Sequence, residues 1–352
     1  MRLEFAPYLL KFYQPAGTSR GVLFEKPTFL LKVYDEKDPS HYGIGEAAVF
    51  PGLSPEADGL YVNKLIELLA NIAIGRPTDL SRHSSIQFGL EQAILDFSNG
   101  CQGIYYPSPF TSGNSSIEIN GLIWMGDFNE MLSRITDKLK QGFKCLKLKI
   151  GAIEWQKEID LISGIRKEYD EHQLTIRVDA NGGLSPESVM DRLNELAQYH
   201  IHSIEQPIPA GNPELMAKLC RESPVPIALD EELIGKATPE ERISTLDVIK
   251  PQFIILKPAL CGGFSGATQW IEEAEKRGIG WWITSALESN VGLNAIAQFT
   301  AAINAQGPQG LGTGGLFTNN FETPVSLIGD NLIFDTGKPL NKTQFSNLHW
   351  NR

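Results

Sequence analysis

Residues 174–183 read LTIRVDANGG, residues 201–209 IHSIEQPIP and residues 226–233 PIALDEEL: three short apolar runs, each closed by an acid, Asp179, Glu205 and Asp230. Lysines bracket the three, Lys147 and Lys149 in CLKLKIG (145–151) and Lys257 in FIILKPALCGG (253–263). Steps of 26, 25 and 27 residues separate Asp179, Glu205, Asp230 and Lys257. A strand, a helix and two short loops need about that many residues, so each acid is expected at the C-terminal end of its own parallel strand. Such ends face one another only where the sheet closes on itself.

Outward from these runs the pattern is strand then helix from about residue 116, with an eighth, weakly marked strand near GPQGLGT (307–313). The strands are short and rich in Ile, Val and Leu, as a sheet covered on both faces requires. A closed β/α barrel of TIM type follows. Ser185-Pro186, Asn212-Pro213 and Thr238-Pro239 each set a capping side chain before a proline at a helix start. Thr238 and Glu241 also have capping-box spacing. Residues 1–112 read as an antiparallel meander followed by helices near 59–74 and 81–98, a small α+β domain ahead of the barrel. The barrel is expected over 113–316, and residues 317–352 as a segment packing back on either part.

The chain has 352 residues, which suits about two domains. Its formal net charge of −11 disfavours nucleic acid or an anionic membrane surface as a partner. The opening MRLEFAPYLLKFYQ lacks the apolar stretch and cleavage site of a secretory signal, and no run has the length of a membrane span. Cys101, Cys145, Cys220 and Cys261 have no CxxC spacing and are expected as unpaired thiols in a reducing cytoplasm.

Strand side chains alternate faces, so Lys147 and Lys149 point the same way, into the barrel. Crowding of two ammonium groups is expected to depress at least one pKa, which suits a lysine that must act as a base. Asp179, Glu205 and Asp230 are hard oxygen ligands without an accompanying His or Cys. They suit an octahedral Mg²⁺, with Mn²⁺ able to replace it, rather than zinc. Glu231 or Glu232 replaces Asp230 if the register shifts by one or two residues, and Arg177 is an alternative partner for Asp179. Lysines on opposite sides of a metal suit proton chemistry at a carbon next to a carboxylate, so the expected partner is a small-molecule carboxylate. GLGTGG (310–315) fits a dinucleotide fingerprint by letter, but no helix opens after it. It is expected instead as a loop that admits a substrate anion, or as a plain turn.

The set KxK, DANGG, EQP, DEE and KPALCGG behind an α+β domain resembles the enolase superfamily, and within it the muconate-lactonising subgroup. That resemblance implies a modified (β/α)7β barrel with an N-terminal capping domain that carries specificity loops. Superfamily sites with a Lys or His base beside Mg²⁺ are a known pattern. GIGEAAVFPGLS (43–54) and WITSALESNVGLNAIAQ (282–298) make the chain look most like the subgroup's dehydratases. These remove water from 2-succinyl-6-hydroxy-2,4-cyclohexadiene-1-carboxylate in menaquinone biosynthesis. The resemblance implies that Asp179, Glu205 and Asp230 hold Mg²⁺ and that Lys149 is the base and then the acid of a syn elimination. It implies that Lys257 stabilises the enolate, and that Lys147, Asn181 and Ser285 contact substrate. A dipeptide epimerase or N-acylamino acid racemase of the same subgroup is the competing reading.

Overall fold

The structure, a computed structural model, describes residues 1–18, 21–151 and 153–352. β1 (Arg2–Thr18), β2 (Gly21–Asp35) and β3 (Asp38–Ala47) form an antiparallel sheet in that order. Period-two alternation divides the work of β2. Leu31 and Val33 join Leu3 and Phe5 in a core closed by α1 (Tyr61–Ala73) and α2 (Ser84–Ser98). Thr28 and Leu30 face the other way, toward the barrel. Helix α2 lies backbone against backbone on β3, for a Cβ on Gly45 would fall 2.1 Å from the Gly89 carbonyl oxygen. Only glycine permits that approach.

β4 (Ile117–Glu118) follows, then seven parallel strands that hydrogen-bond in chain order among the described residues. They are β5 (Gly121–Ile123), β6 (Cys145–Lys149), β7 (Thr175–Asp179), β8 (Ser203–Glu205), β9 (Ile227–Leu229), β10 (Phe253–Leu256) and β11 (Gly280–Ile283). Helices α3 (Phe128–Lys140), α4 (Trp155–Glu168), α5 (Val189–Ala197), α6 (Pro213–Glu222), α7 (Pro239–Ile249), α8 (Gly263–Glu275) and α9 (Asn290–Ala302) alternate with them. None of the described helices is long and apolar enough to cross a membrane.

The eighth strand is reduced to a stitch. Gln309 bridges Ile119 and Gly310 bridges Thr284, both in parallel sense, so two residues close the ring between its first and last strands. Gly310 N–H donates to the Ile283 carbonyl at 2.8 Å, and its own carbonyl accepts from Ser285 N–H at 3.1 Å. SIEINGLIW (116–124), which opens the strand-then-helix pattern and reads as one strand in sequence, is two. β4 pairs antiparallel with β13 (Asn331–Phe334), itself in a hairpin with β12 (Val325–Ile328), and Gly121–Ile123, with the bridge at Ile119, enters the barrel.

Asn212 caps α6 through Leu215 N–H, and Thr238 with Glu241 forms the capping box of α7. Ser185-Pro186 does not start α5. Residues 185–188 make a turn closed by Val189 N–H on the Ser185 carbonyl, and the helix begins at Val189.

Candidate active site

Register sets the site. Lys149 pairs with Asp179 and Asp179 with Glu205, so neighbouring strands present their chemistry at one level of the barrel. One layer lower, Lys147 pairs with Arg177 and Arg177 with Ser203. Arg177 does not pair with Asp179: it stacks on the Trp282 ring at 4.0 Å and donates to the Pro308 carbonyl at 2.8 Å. Trp282 packs with Ala228, Ile255 and Phe253 as the floor beneath the acids.

Asp179, Glu205 and Asp230 are all buried. Lys147 Nζ bridges Asp179 Oδ2 at 2.9 Å and Glu205 Oε2 at 2.6 Å. Lys149 Nζ donates to Asp179 Oδ2 at 3.2 Å and to Asn181 Oδ1 at 2.7 Å. Lys257 donates to Asp230. Of the acids that follow Asp230, Glu232 turns away to accept from Gly211 N–H, while Glu231 lines the central cavity and accepts from Asn181 Nδ2 at 3.3 Å.

Of the two crowded lysines, Lys147 is not depressed. Burial does lower both Lys147 and Lys257, but the carboxylates more than offset it. Asp179 and Glu205 hold Lys147 well above its ordinary value. Asp230, Glu205 and Glu231 push Lys257 up to about 12. An opposite charge at about 3 Å outweighs a like charge further off.

The acids divide in turn. Burial raises the Asp179 carboxyl, yet Lys147 and Lys149 hold it well below the usual range. Burial followed by the charge of Asp179 lifts Glu205 to about 7 against the pull of Lys147. Asp230 is also raised, by burial first, against Lys257.

Because Lys147 stands between two of them, the acids do not converge as a cage of three, and among the described residues no such group is formed. The donor set still fits a hard divalent cation. Glu205 Oε1 is buried without a hydrogen-bond partner among the described residues. Three carboxylates on successive strands, with no His or Cys, are the oxygen ligands such an ion takes.

A cavity opens above this level. Lys147, Lys149, Asp179, Asn181, Lys257 and Ser285 all line it, while Glu205 and Asp230 lie beneath its wall. Ser285 shares a hydrogen bond of 2.8 Å with Thr313, the hydroxyl of the GLGTGG loop, which also lines the cavity through Gly310 and Gly312. Sequence reading missed Phe50, Leu53, Asn120 and Trp124 as lining residues. Phe50 and Leu53 lie in the quoted GIGEAAVFPGLS stretch, but an apolar residue in a loop has no periodicity to betray it.

The enolase C-terminal domain-like family model matches residues 130–325. An o-succinylbenzoate synthase from Desulfotalea psychrophila is 45% identical, over 94% of this chain and 98% of that protein. The crystal structure of MenC from Desulfotalea psychrophila superposes with a TM-score of 0.84 at 41% identity, covering 95% of this chain and 99% of that one. A dipeptide epimerase from Cytophaga hutchinsonii, complexed with Mg and the dipeptide D-Ala-L-Val, shares the fold with a TM-score of 0.78 at 18% identity, over 99% and 98% of the two chains.

Proposed function

The chain belongs to the enolase superfamily, and from that membership we propose that it carries out the o-succinylbenzoate synthase reaction. It dehydrates 2-succinyl-6-hydroxy-2,4-cyclohexadiene-1-carboxylate to o-succinylbenzoate, a step of menaquinone biosynthesis in the cytoplasm. The observation that carries this reading is the 45% identity with an o-succinylbenzoate synthase along nearly the whole of both chains.

Asp179, Glu205 and Asp230 would hold Mg²⁺, which Mn²⁺ can replace. When bound, the cation supplies charge neutralisation for the substrate carboxylate as the α-proton leaves. Lys149, beside the cavity and oriented by Asn181, takes that proton and returns it to the departing hydroxide on the same face. Lys257 remains an ammonium and stabilises the negative charge that develops opposite. Its high pKa supports that task better than a second base. Lys147 and Ser285 contact the substrate, Ser285 together with Thr313 at the succinyl carboxylate. In this reading residues 1–112 form the capping domain, 113–316 the barrel and 317–352 a segment that returns onto both.

The test is turnover of the purified protein with Mg²⁺ on the cyclohexadiene substrate, beside a panel of dipeptides and N-acylamino acids. Dehydration is expected. Epimerisation of the panel with no dehydration would overturn the assignment.

A further inference from the structure

The cavity has two walls of different origin. Phe50 comes from the capping domain, and Thr284, Ser285, Ala286 and Leu287 come from the loop after β11. A buried cluster of titratable groups lies behind both, outside the machinery described above. Its centre is Glu46, at the end of β3, which is fully buried. One carboxylate oxygen accepts from Thr28 Oγ1 at 2.8 Å and from Ser289 N–H at 2.9 Å. The other accepts from Ser289 Oγ at 2.6 Å and from Gly292 N–H at 2.9 Å. Three of these four bonds cross from the capping domain to the first turn of α9, where backbone N–H groups and the helix dipole favour an anion.

The loop that enters this turn is strained. Leu287 has a φ of 60°, a left-handed conformation that costs a branched residue of order 1 kcal/mol or more. Glu288, also fully buried, accepts from Ala286 N–H at 2.7 Å and so fixes the residue before it. A Cβ on Gly292 would fall 2.8 Å from the Glu288 Cβ and 2.9 Å from a Glu46 oxygen, so both acids press on one glycine. Lys26 is buried on the barrel-facing side of β2, where burial lowers its pKa against the pull of Glu46 and Glu288, and its Nζ lies 5.9 Å from the centre of the Phe50 ring. One cluster thus touches both walls of the cavity.

We propose that Glu46 is a positioning residue for substrate. By gripping the N-terminus of α9 from the capping domain, it sets residues 284–287 against Phe50. The proposal rests on the dehydratase reading above, because those residues would hold the non-reacting end of that substrate. The groups that move protons stand on other strands. Loss of the grip therefore weakens binding and leaves the chemical step nearly intact.

The experiment compares wild type, Glu46→Gln and Ser289→Ala with Mg²⁺ present. Each is assayed by steady-state kinetics, by calorimetric binding of o-succinylbenzoate and by thermal unfolding. Glu46→Gln is expected to raise KM and the product dissociation constant about tenfold or more, with kcat within about threefold of wild type. Ser289→Ala removes one of the grip's bonds and should shift both constants the same way by less. A plain structural role would lower the unfolding temperature and leave both constants alone. Unchanged constants in a folded Glu46→Gln protein, or a fall in kcat alone, overturns the proposal. If Glu46→Gln does not fold, Ser289→Ala decides by the same criterion. Wild type that neither dehydrates the substrate nor binds the product would defeat the dehydratase reading itself. Active wild type with unmoved variants defeats only the grip.

Discussion

Lys149 Nζ is shared between the neutral Asn181 Oδ1 at 2.7 Å and Asp179 Oδ2 at 3.2 Å, whereas Lys257 is tied to the carboxylate of Asp230. The two lysines are therefore expected to differ in function. Lys149→Ala should lose dehydration by roughly 10²–10⁴-fold, as removal of a general acid–base does. Lys257→Arg keeps the charge but not a titratable base, since a guanidinium stays protonated. It should retain measurable turnover. Equal and total loss in both folded variants would contradict a one-base mechanism.

Chelation with EDTA should abolish turnover, and Mg²⁺ should restore it. Glu205→Gln removes one charge from the buried acids, so calorimetry should find weaker Mg²⁺ binding in a protein whose circular dichroism is unchanged. Strand-end residues on this face of a barrel serve function more than stability. Full activity after exhaustive chelation would remove the metal from the account.

Gly310→Ala should destabilise the fold by about 1–3 kcal/mol in urea unfolding, the usual cost of overpacking. The added Cβ would fall 2.2 Å from Thr284 Oγ1, within the pairing that closes the barrel. An unchanged midpoint would mean that the closure can part without cost.

His202 provides a test of acid stability away from the acids and lysines of the site. Burial first, then the positive charge of Arg177, pushes its pKa down to about 4. In the unfolded chain it titrates near ~6.5. Between these values the unfolded state binds a proton that the folded state refuses. Stability therefore falls as pH drops from about 6.5 to about 4, and this residue contributes no slope above that window. His202→Gln should lose less stability than wild type between pH 7 and pH 4.5 in chemical denaturation. Parallel losses would refute this.

What could be read from sequence was whatever chemistry must place at fixed points. Asp179, Glu205 and Asp230 each end an apolar run, and strand parity put Lys147 and Lys149 on one face, because a barrel strand has only an inside and an outside. The closure at Gln309 and Gly310 falls within GPQGLGT, where the strand was only weakly marked, for it is made by backbone groups in a run of glycines. The break between β4 and β5 was hidden because SIEINGLIW has strand propensity throughout. Pro186 resembled a helix start, but the same residue opens turns equally well. Phe50 and Leu53 reach the cavity from a loop, through a domain contact that no local pattern encodes. The sign of the Lys147 shift was misjudged because lysine–lysine repulsion was weighed without the carboxylates about 3 Å away.

The two-sided burial of β2 has a consequence for how this protein tolerates variation. Odd positions such as Leu31 and Val33 serve the capping domain's own interior, while Lys26, Thr28 and Leu30 look toward the barrel. A saturation scan of residues 26–33 should therefore sort by parity. Odd sites would be scored by abundance of soluble protein, and Lys26 and Thr28, beside Phe50 and Glu46, by substrate preference as well. Neighbouring codons in one strand would then answer to different selective pressures, and the cap could drift toward new ligands without loosening its own packing.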